Sequence, residues 1–102
     1  MDALDAGEKR RHALLFGELA ASLTRIEETP DGYAFRFPSD ANLFLRIAEW
    51  ITLEGACCPF LSFGLDSDGK AGSIRLRLSG GEGVKEFLKH EFPMLEARQW
   101  PG

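Results

Sequence analysis

The residue types that could do chemistry gather in one short segment, Glu54-Gly55-Ala56-Cys57-Cys58-Pro59-Phe60. On an α-helix, residue 54 shares a face with residues 57 and 58, because it precedes them by three and four positions. A carboxylate and one or two thiols are therefore predicted to meet at this point. Neighbouring helical side chains diverge by about 100°, so we expect one cysteine to pack inward and the other to lie nearer the rim.

A soft-metal site is the first chemistry that this segment suggests. Thiolates suit zinc, copper(I) and comparable soft ions, and the segment predicts that Glu54, Cys57 and Cys58 bind such an ion or a thiol-reactive ligand. Structural zinc needs four ligands; His12 and His90 are further candidates, although we expect both on the surface. A homodimer could instead supply four thiolates. Adjacent cysteines are poorly placed to chelate one ion, because the common zinc spacing separates them by at least two residues.

Two rival hypotheses use the same residues differently. In a thiol enzyme or redox protein, one cysteine would react and Glu54 would act as its base. Reactive cysteines lie near helix N-termini or cations, whereas this segment is predicted at a helix C-terminus beside a carboxylate, and both features raise a thiol pKa. In a structural or protein-interaction module, the cysteines would be buried and unreactive. A buried Glu54 would then need a partner, such as Arg75, Arg77 or a backbone amide.

The elements that position this segment follow from periodicity and turn residues. Apolar residues recur at helical spacing in three stretches, and alternate with polar residues in the stretches between them. Pro59 must end the central helix. The predicted elements are helix 8–22, hairpin 24–37, helix 41 to 56 or 58, strand 60–65, turn 66–69, strand 74–78, helix 82–92 and a tail 93–102 that includes Trp100.

This order predicts an α+β fold in one domain spanning 1–102: a two-layer structure with a four-stranded antiparallel sheet and helices on one face. The order of elements is α-β-β-α-β-β-α. A chain of 102 residues is long enough to fold without a stabilising metal or disulfide.

Composition narrows the classes of partner. The net charge is −4 and the basic residues form no long run, which argues against nucleic acid. No apolar run approaches the roughly 18 residues of a membrane span, and the acidic N-terminus does not resemble a secretory signal. The two cysteines are adjacent, with Cα atoms about 3.8 Å apart, closer than a disulfide prefers. We therefore expect free thiols and a cytoplasmic protein.

The segment also resembles a family of small bacterial proteins that carry a Glu-x-x-Cys-Cys-Pro-Phe motif. The similarity extends over Trp50-Ile51-x-Leu53-Glu54-x-x-Cys57-Cys58-Pro59-Phe60-Leu61-x-Phe63, then Leu76-x-Leu78-x-Gly80 and 82–88. Similar domains occur beside or fused to MerR-like metal-responsive regulators, and this resemblance implies a soft-metal role. The chain differs from the common pattern at Gly55, where an arginine often follows the glutamate. For this chain the resemblance therefore implies neither an arginine partner for Glu54 nor an arginine that activates a thiol at this position.

Overall fold

The computed structural model describes residues 4–69 and 72–95, and it contains three α-helices and four strands. The helices are α1 (Ala6–Ser22), α2 (Ala41–Cys57) and α3 (Val84–Glu91), and the strands are β1 (Arg25–Thr29), β2 (Gly32–Pro38), β3 (Ser62–Asp68) and β4 (Ser73–Ser79). A short 3₁₀ turn, Pro93–Leu95, follows α3. The predicted α+β fold and its element order are confirmed.

Side-chain caps fix where the first two helices begin. The Asp5 carboxylate accepts a hydrogen bond from the Glu8 backbone, and the Glu8 side chain accepts one from the Asp5 backbone, which forms a capping box before α1. Asp40 caps α2 by accepting hydrogen bonds from the backbone amides of Asn42 and Leu43. These caps satisfy amide groups that have no partner inside the helix.

The sheet is antiparallel throughout, in the order β1-β2-β4-β3. The two hairpins therefore lie side by side through their second strands. Alternate residues of β2 and β4 face the helices and fill the core. These residues are directly opposite one another in the pairs Tyr33–Leu78, Phe35–Leu76 and Phe37–Ile74. The three helices cover this face of the sheet, as the sequence predicts.

Several predicted boundaries differ from the structure, and α1 begins at Ala6 instead of residue 8. Strand β3 begins at Ser62, because the Leu61 amide bonds to the Cys58 carbonyl and closes a tight turn around Pro59. The predicted turn at 66–69 is wrong, since β3 continues to Asp68, where polar residues still pair with β4 on the uncovered face of the sheet. Helix α3 begins at Val84, after Gly83 with a left-handed φ of 89°. The predicted tail residues beyond 95, including Trp100, lie outside the described residues.

Candidate functional site

The end of α2 positions the predicted site residues. The buried residues of this helix are Leu43, Ile47, Trp50 and Glu54, at steps of four, three and four, so the glutamate continues the apolar stripe as the sequence predicts. Glu54 is only 2% exposed. A buried ionised carboxylate is costly unless another group compensates its charge, so its surroundings decide what this segment does.

Glu54 is bound by a histidine from another helix. The Nε2 atom of His12, on α1, lies 2.7 Å from Oε1 of Glu54. From the sequence, His12 is predicted on the surface and Arg75 or Arg77 as partners of the glutamate, and the structure corrects both predictions. The two arginines belong to the face of the sheet that the helices leave uncovered, so their side chains point away from α2.

The His12 ring connects the buried carboxylate to the protein surface. Its side chain is 24% exposed. The ring stacks on Trp50 with a centroid distance of 5.8 Å and an interplanar angle of 25°. The contact with Trp50 and the bond to Glu54 together fix the orientation of the imidazole. The partly exposed His12 ring is thereby held against the Glu54 carboxylate, which has almost no access to solvent.

The second oxygen of the glutamate is not satisfied in the same way. Oε2 of Glu54 is buried, and no described residue hydrogen-bonds to it. Glu54 also forms part of the wall of an open cleft of about 210 Å³, lined by His12, Ala13, Phe16, Glu54, Glu91 and Phe92. An unsatisfied buried oxygen destabilises a fold, and such groups often mark functional positions.

The two cysteines occupy contrasting environments, as predicted from their angular separation. Cys58 is buried at 9% exposure and belongs to the hydrophobic core, whereas Cys57 is exposed. Burial, followed by the negative charges of Glu54 and Glu91 and by Cys57, raises the pKa of the Cys58 thiol to about 12. The predicted upward shift is confirmed for this cysteine. Cys58 is therefore a neutral thiol at pH 7, which disfavours its use as a nucleophile.

The predicted ligand set is only partly assembled. Glu54 and Cys58 are close enough for the carboxylate to raise the pKa of the thiol, and Cys57 adjoins them on the solvent side. Within residues 4–69 and 72–95, no three His, Cys, Asp or Glu residues form a group that could hold a metal ion. His90 is exposed on α3, as predicted for a surface histidine. One protomer thus offers two thiols at this corner and no complete tetrahedral site among the described residues.

Comparisons of the chain with protein-family models, with curated proteins and with solved structures give no match. No helix in the described part of the chain is long and apolar enough to cross a membrane. The functional argument therefore rests on the geometry of the Glu54 corner, which we define as His12, Glu54, Cys57 and Cys58.

Three of these four residues are predicted site residues, whereas His12 is predicted only as a further ligand candidate on the surface and its pairing with Glu54 is not predicted. The available signal was the glutamate on an apolar stripe, which indicated that a partner must exist. It could not indicate which partner, because His12 precedes Glu54 by 42 positions and lies on a different helix. Only the packing of α1 against α2 brings the two side chains together.

Proposed function

We propose that the Glu54 corner binds a soft, thiophilic metal ion or a thiol-reactive ligand through Cys57 and Cys58. One observation carries this proposal: an exposed thiol adjoins a buried thiol, and the buried thiol lies beside a carboxylate held by a partly exposed histidine. The exposed Cys57 supplies the first contact with an incoming ion. Cys58 then supplies the second ligand from inside the protein.

The number of ligands favours a copper(I)-like ion over zinc. Structural zinc takes four ligands, and no group of even three candidate ligands exists among the described residues. A site shared by two protomers would have to bring two copies of Cys58 together, although each belongs to its own core. Soft ions that accept two thiolates need neither a third ligand nor a partner chain. We therefore propose binding to a single chain, and a metal ion retained only by a homodimer would contradict this.

Binding at this corner must release protons, because only a thiolate is a good ligand. The Cys58 thiol holds its proton tightly, with a pKa of about 12. A soft ion must displace that proton, which makes the site selective for ions with high thiolate affinity. The nearby Glu54–His12 pair reaches solvent through the partly exposed ring of His12.

The test is a copper(I) titration of the reduced protein against a coloured chelator, combined with a count of free thiols. The wild type should bind one ion and protect both thiols. Cys57→Ser and Cys58→Ser should each lose stoichiometric binding, because each variant retains a single thiolate. Glu54→Gln keeps both thiols and removes a negative charge that raises the pKa of Cys58, so this variant should retain stoichiometric binding. Binding that survives both serine substitutions would contradict the proposal.

A second candidate function is a structural or protein-interaction module. The position of Cys58 in the core and its raised pKa favour this alternative. Under it, Cys58→Ser lowers stability, Cys57→Ser changes little, and neither thiol retains a metal. The same raised pKa argues against Cys58 as the reactive thiol of a redox protein, which needs a thiolate near neutral pH.

Both leading candidates require reduced thiols. Two adjacent free cysteines suit a reducing compartment, so we place the protein in the cytoplasm as part of this proposal. A cytoplasmic domain that captures a thiophilic ion would serve as a sensor, carrier or buffer of that ion.

A further inference from the structure

The face of the sheet that the helices leave uncovered carries an unusual row of arginines. Arg25, Arg36 and Arg75 lie directly opposite one another on β1, β2 and β4, and Asp66 completes the row on β3. Arg77 lies two positions from Arg75 on the same face. Like charges directly opposite on neighbouring strands destabilise a sheet. Three arginines in one row therefore call for an explanation beyond folding.

Three carboxylates lie on this face, Glu27, Asp66 and Asp68, and the first two pair with three of the four arginines. Glu27 accepts a hydrogen bond from Nε of Arg36 at 3.2 Å and lies 3.5 Å from Arg25. Asp66 lies directly opposite Arg75, yet it pairs with Arg77 at 3.2 Å. Glu27 and Asp66 therefore pair with the other arginines, and neither of them pairs with Arg75.

Arg75 is the residue left with an unpaired donor. The Nε atom of its side chain is buried and has no hydrogen-bond partner among the residues that the structure describes. A charged donor that is partly withdrawn from water and lacks an acceptor carries a larger penalty than a neutral one. The centre of this face therefore presents an unused guanidinium that a carboxylate from outside could bind in a bidentate manner.

Small residues lie between the arginines on this face, and one of them, Ala34, is buried. Gly64 lies opposite Arg77, and a Cβ atom at this glycine would be 2.5 Å from the Arg77 guanidinium. The arginine side chain thus lies across β3 where a larger residue would block it. Ala34, on β2, faces the same side between the arginines. The result is a broad polar surface instead of a pocket, which suits a macromolecular partner.

We propose that this arginine face, centred on Arg75, binds an extended acidic segment of another protein. Arg75 and Arg77 are two residues apart on one strand, a separation of about 6.6 Å. Carboxylates at alternate positions of an extended segment have the same spacing, so one could reach each arginine. Charge complementarity at Arg75 supplies the anchoring contact, and this site is independent of the Glu54 corner.

The residues of the face favour a peptide over nucleic acid. Proteins that bind single-stranded nucleic acid stack bases on aromatic side chains, and the residues of β1–β4 that point to this side include no aromatic ring. Glu27 and Asp66 lie among the arginines, where they would repel a continuous phosphate backbone. The whole chain also carries a net charge of −4, which opposes a long polyanion.

The test uses a fluorescent ten-residue peptide with glutamate at alternate positions, and a glutamine version of the same peptide. Fluorescence anisotropy at low salt should show binding of the glutamate peptide only. Arg75→Gln should weaken that binding by about tenfold, the effect expected for a charged hydrogen bond. The matched control is Arg46→Gln, which removes the same charge from α2, where Arg46 pairs with Glu18. The control should change the affinity by less than about twofold.

A thermal melt distinguishes lost binding from lost folding. Arg75→Gln relieves a row of like charges and should keep the melting temperature of the wild type. The proposal is overturned if Arg46→Gln weakens binding as much as Arg75→Gln, since the attraction would then be diffuse. It is also overturned if the glutamate peptide does not bind, or if a single-stranded RNA of equal charge binds more tightly and with the same dependence on Arg75.

Discussion

The environment of Cys58 predicts how the stability of the protein depends on alkaline pH. The thiol pKa rises from an ordinary value of 9.0 to about 12 in the folded protein. Because the folded pKa is the higher one, the neutral thiol stabilises the fold below pH 9. That stabilisation is lost as the pH rises from 9 towards 12, since the unfolded chain then gives up its proton more readily than the folded one.

The size of the effect follows from proton linkage. One proton bound in the folded state and absent in the unfolded state changes the free energy of unfolding by about 1.4 kcal/mol per pH unit. This is a limiting slope, reached only where the unfolded thiol is fully ionised. Between pH 8.5 and 10.5 the expected loss is therefore about 1–2 kcal/mol, a measurable part of the stability of a small domain.

Urea unfolding followed by tryptophan fluorescence measures this loss, with Cys58→Ala and Cys57→Ala as a matched pair. Other groups also titrate at alkaline pH, so the informative quantity is the difference in free energy of unfolding between the wild type and each variant. For Cys58→Ala, this difference should shrink as the pH rises above 9. Cys57→Ala is the matched control, since it removes the neighbouring, exposed thiol and leaves Cys58 in place. A constant difference for Cys58→Ala would refute the inference that burial and Glu54 hold this thiol neutral.

Three further substitutions test the fold and the Glu54 corner, each by its effect on the free energy of unfolding in urea. Gly32→Ala should prevent folding or destabilise by more than about 4 kcal/mol, because the new Cβ would lie 1.8 Å from a backbone carbonyl of β4; a folded variant of near-normal stability would contradict the register. His12→Ala should lower the free energy of unfolding by about 1–3 kcal/mol, since it removes the 2.7 Å hydrogen bond to the buried Glu54. When His12→Ala is added to the Glu54→Gln variant, the loss should be smaller. Equal losses in the two backgrounds would show that the two residues are not coupled. Asp40→Ala should cost about 0.5–2 kcal/mol by removing the cap of α2, and circular dichroism should show the helix retained; no loss at all would argue against the cap.

The sequence was sufficient to predict the fold because local pattern and tertiary structure agree. Alternation in β2 and β4 matches the face that packs on the helices, and the stripe on α2 matches its buried residues. Pro59 and Asp40 mark the two ends of that helix. The polar end of β3 could not be predicted, because Asp66 and Asp68 are typical turn residues and only their pairing with β4 keeps them in a strand.

Contacts between distant elements could not be predicted from pattern. Glu54 and the cysteines were found because they are close in the chain, whereas His12 belongs to another helix. Arg75 and Arg77 alternate with the buried residues of β4. These two arginines lie next to Arg36 because β2 and β4 are neighbours in the strand order β1-β2-β4-β3, and hydrophobic periodicity does not determine that order. The full set of residues in each proposed site could therefore be identified only from the three-dimensional structure.

The measurement that tests the central claim most directly is native mass spectrometry of the reduced protein after addition of copper(I). The account predicts one ion per chain on a monomer of 11.3 kDa, with the ion lost from both Cys57→Ser and Cys58→Ser. A protein that retains no ion while both thiols stay reduced would contradict the account, and the corner would then serve core packing alone. An ion retained only in a dimer would contradict the two-thiolate site and indicate that two chains share one centre.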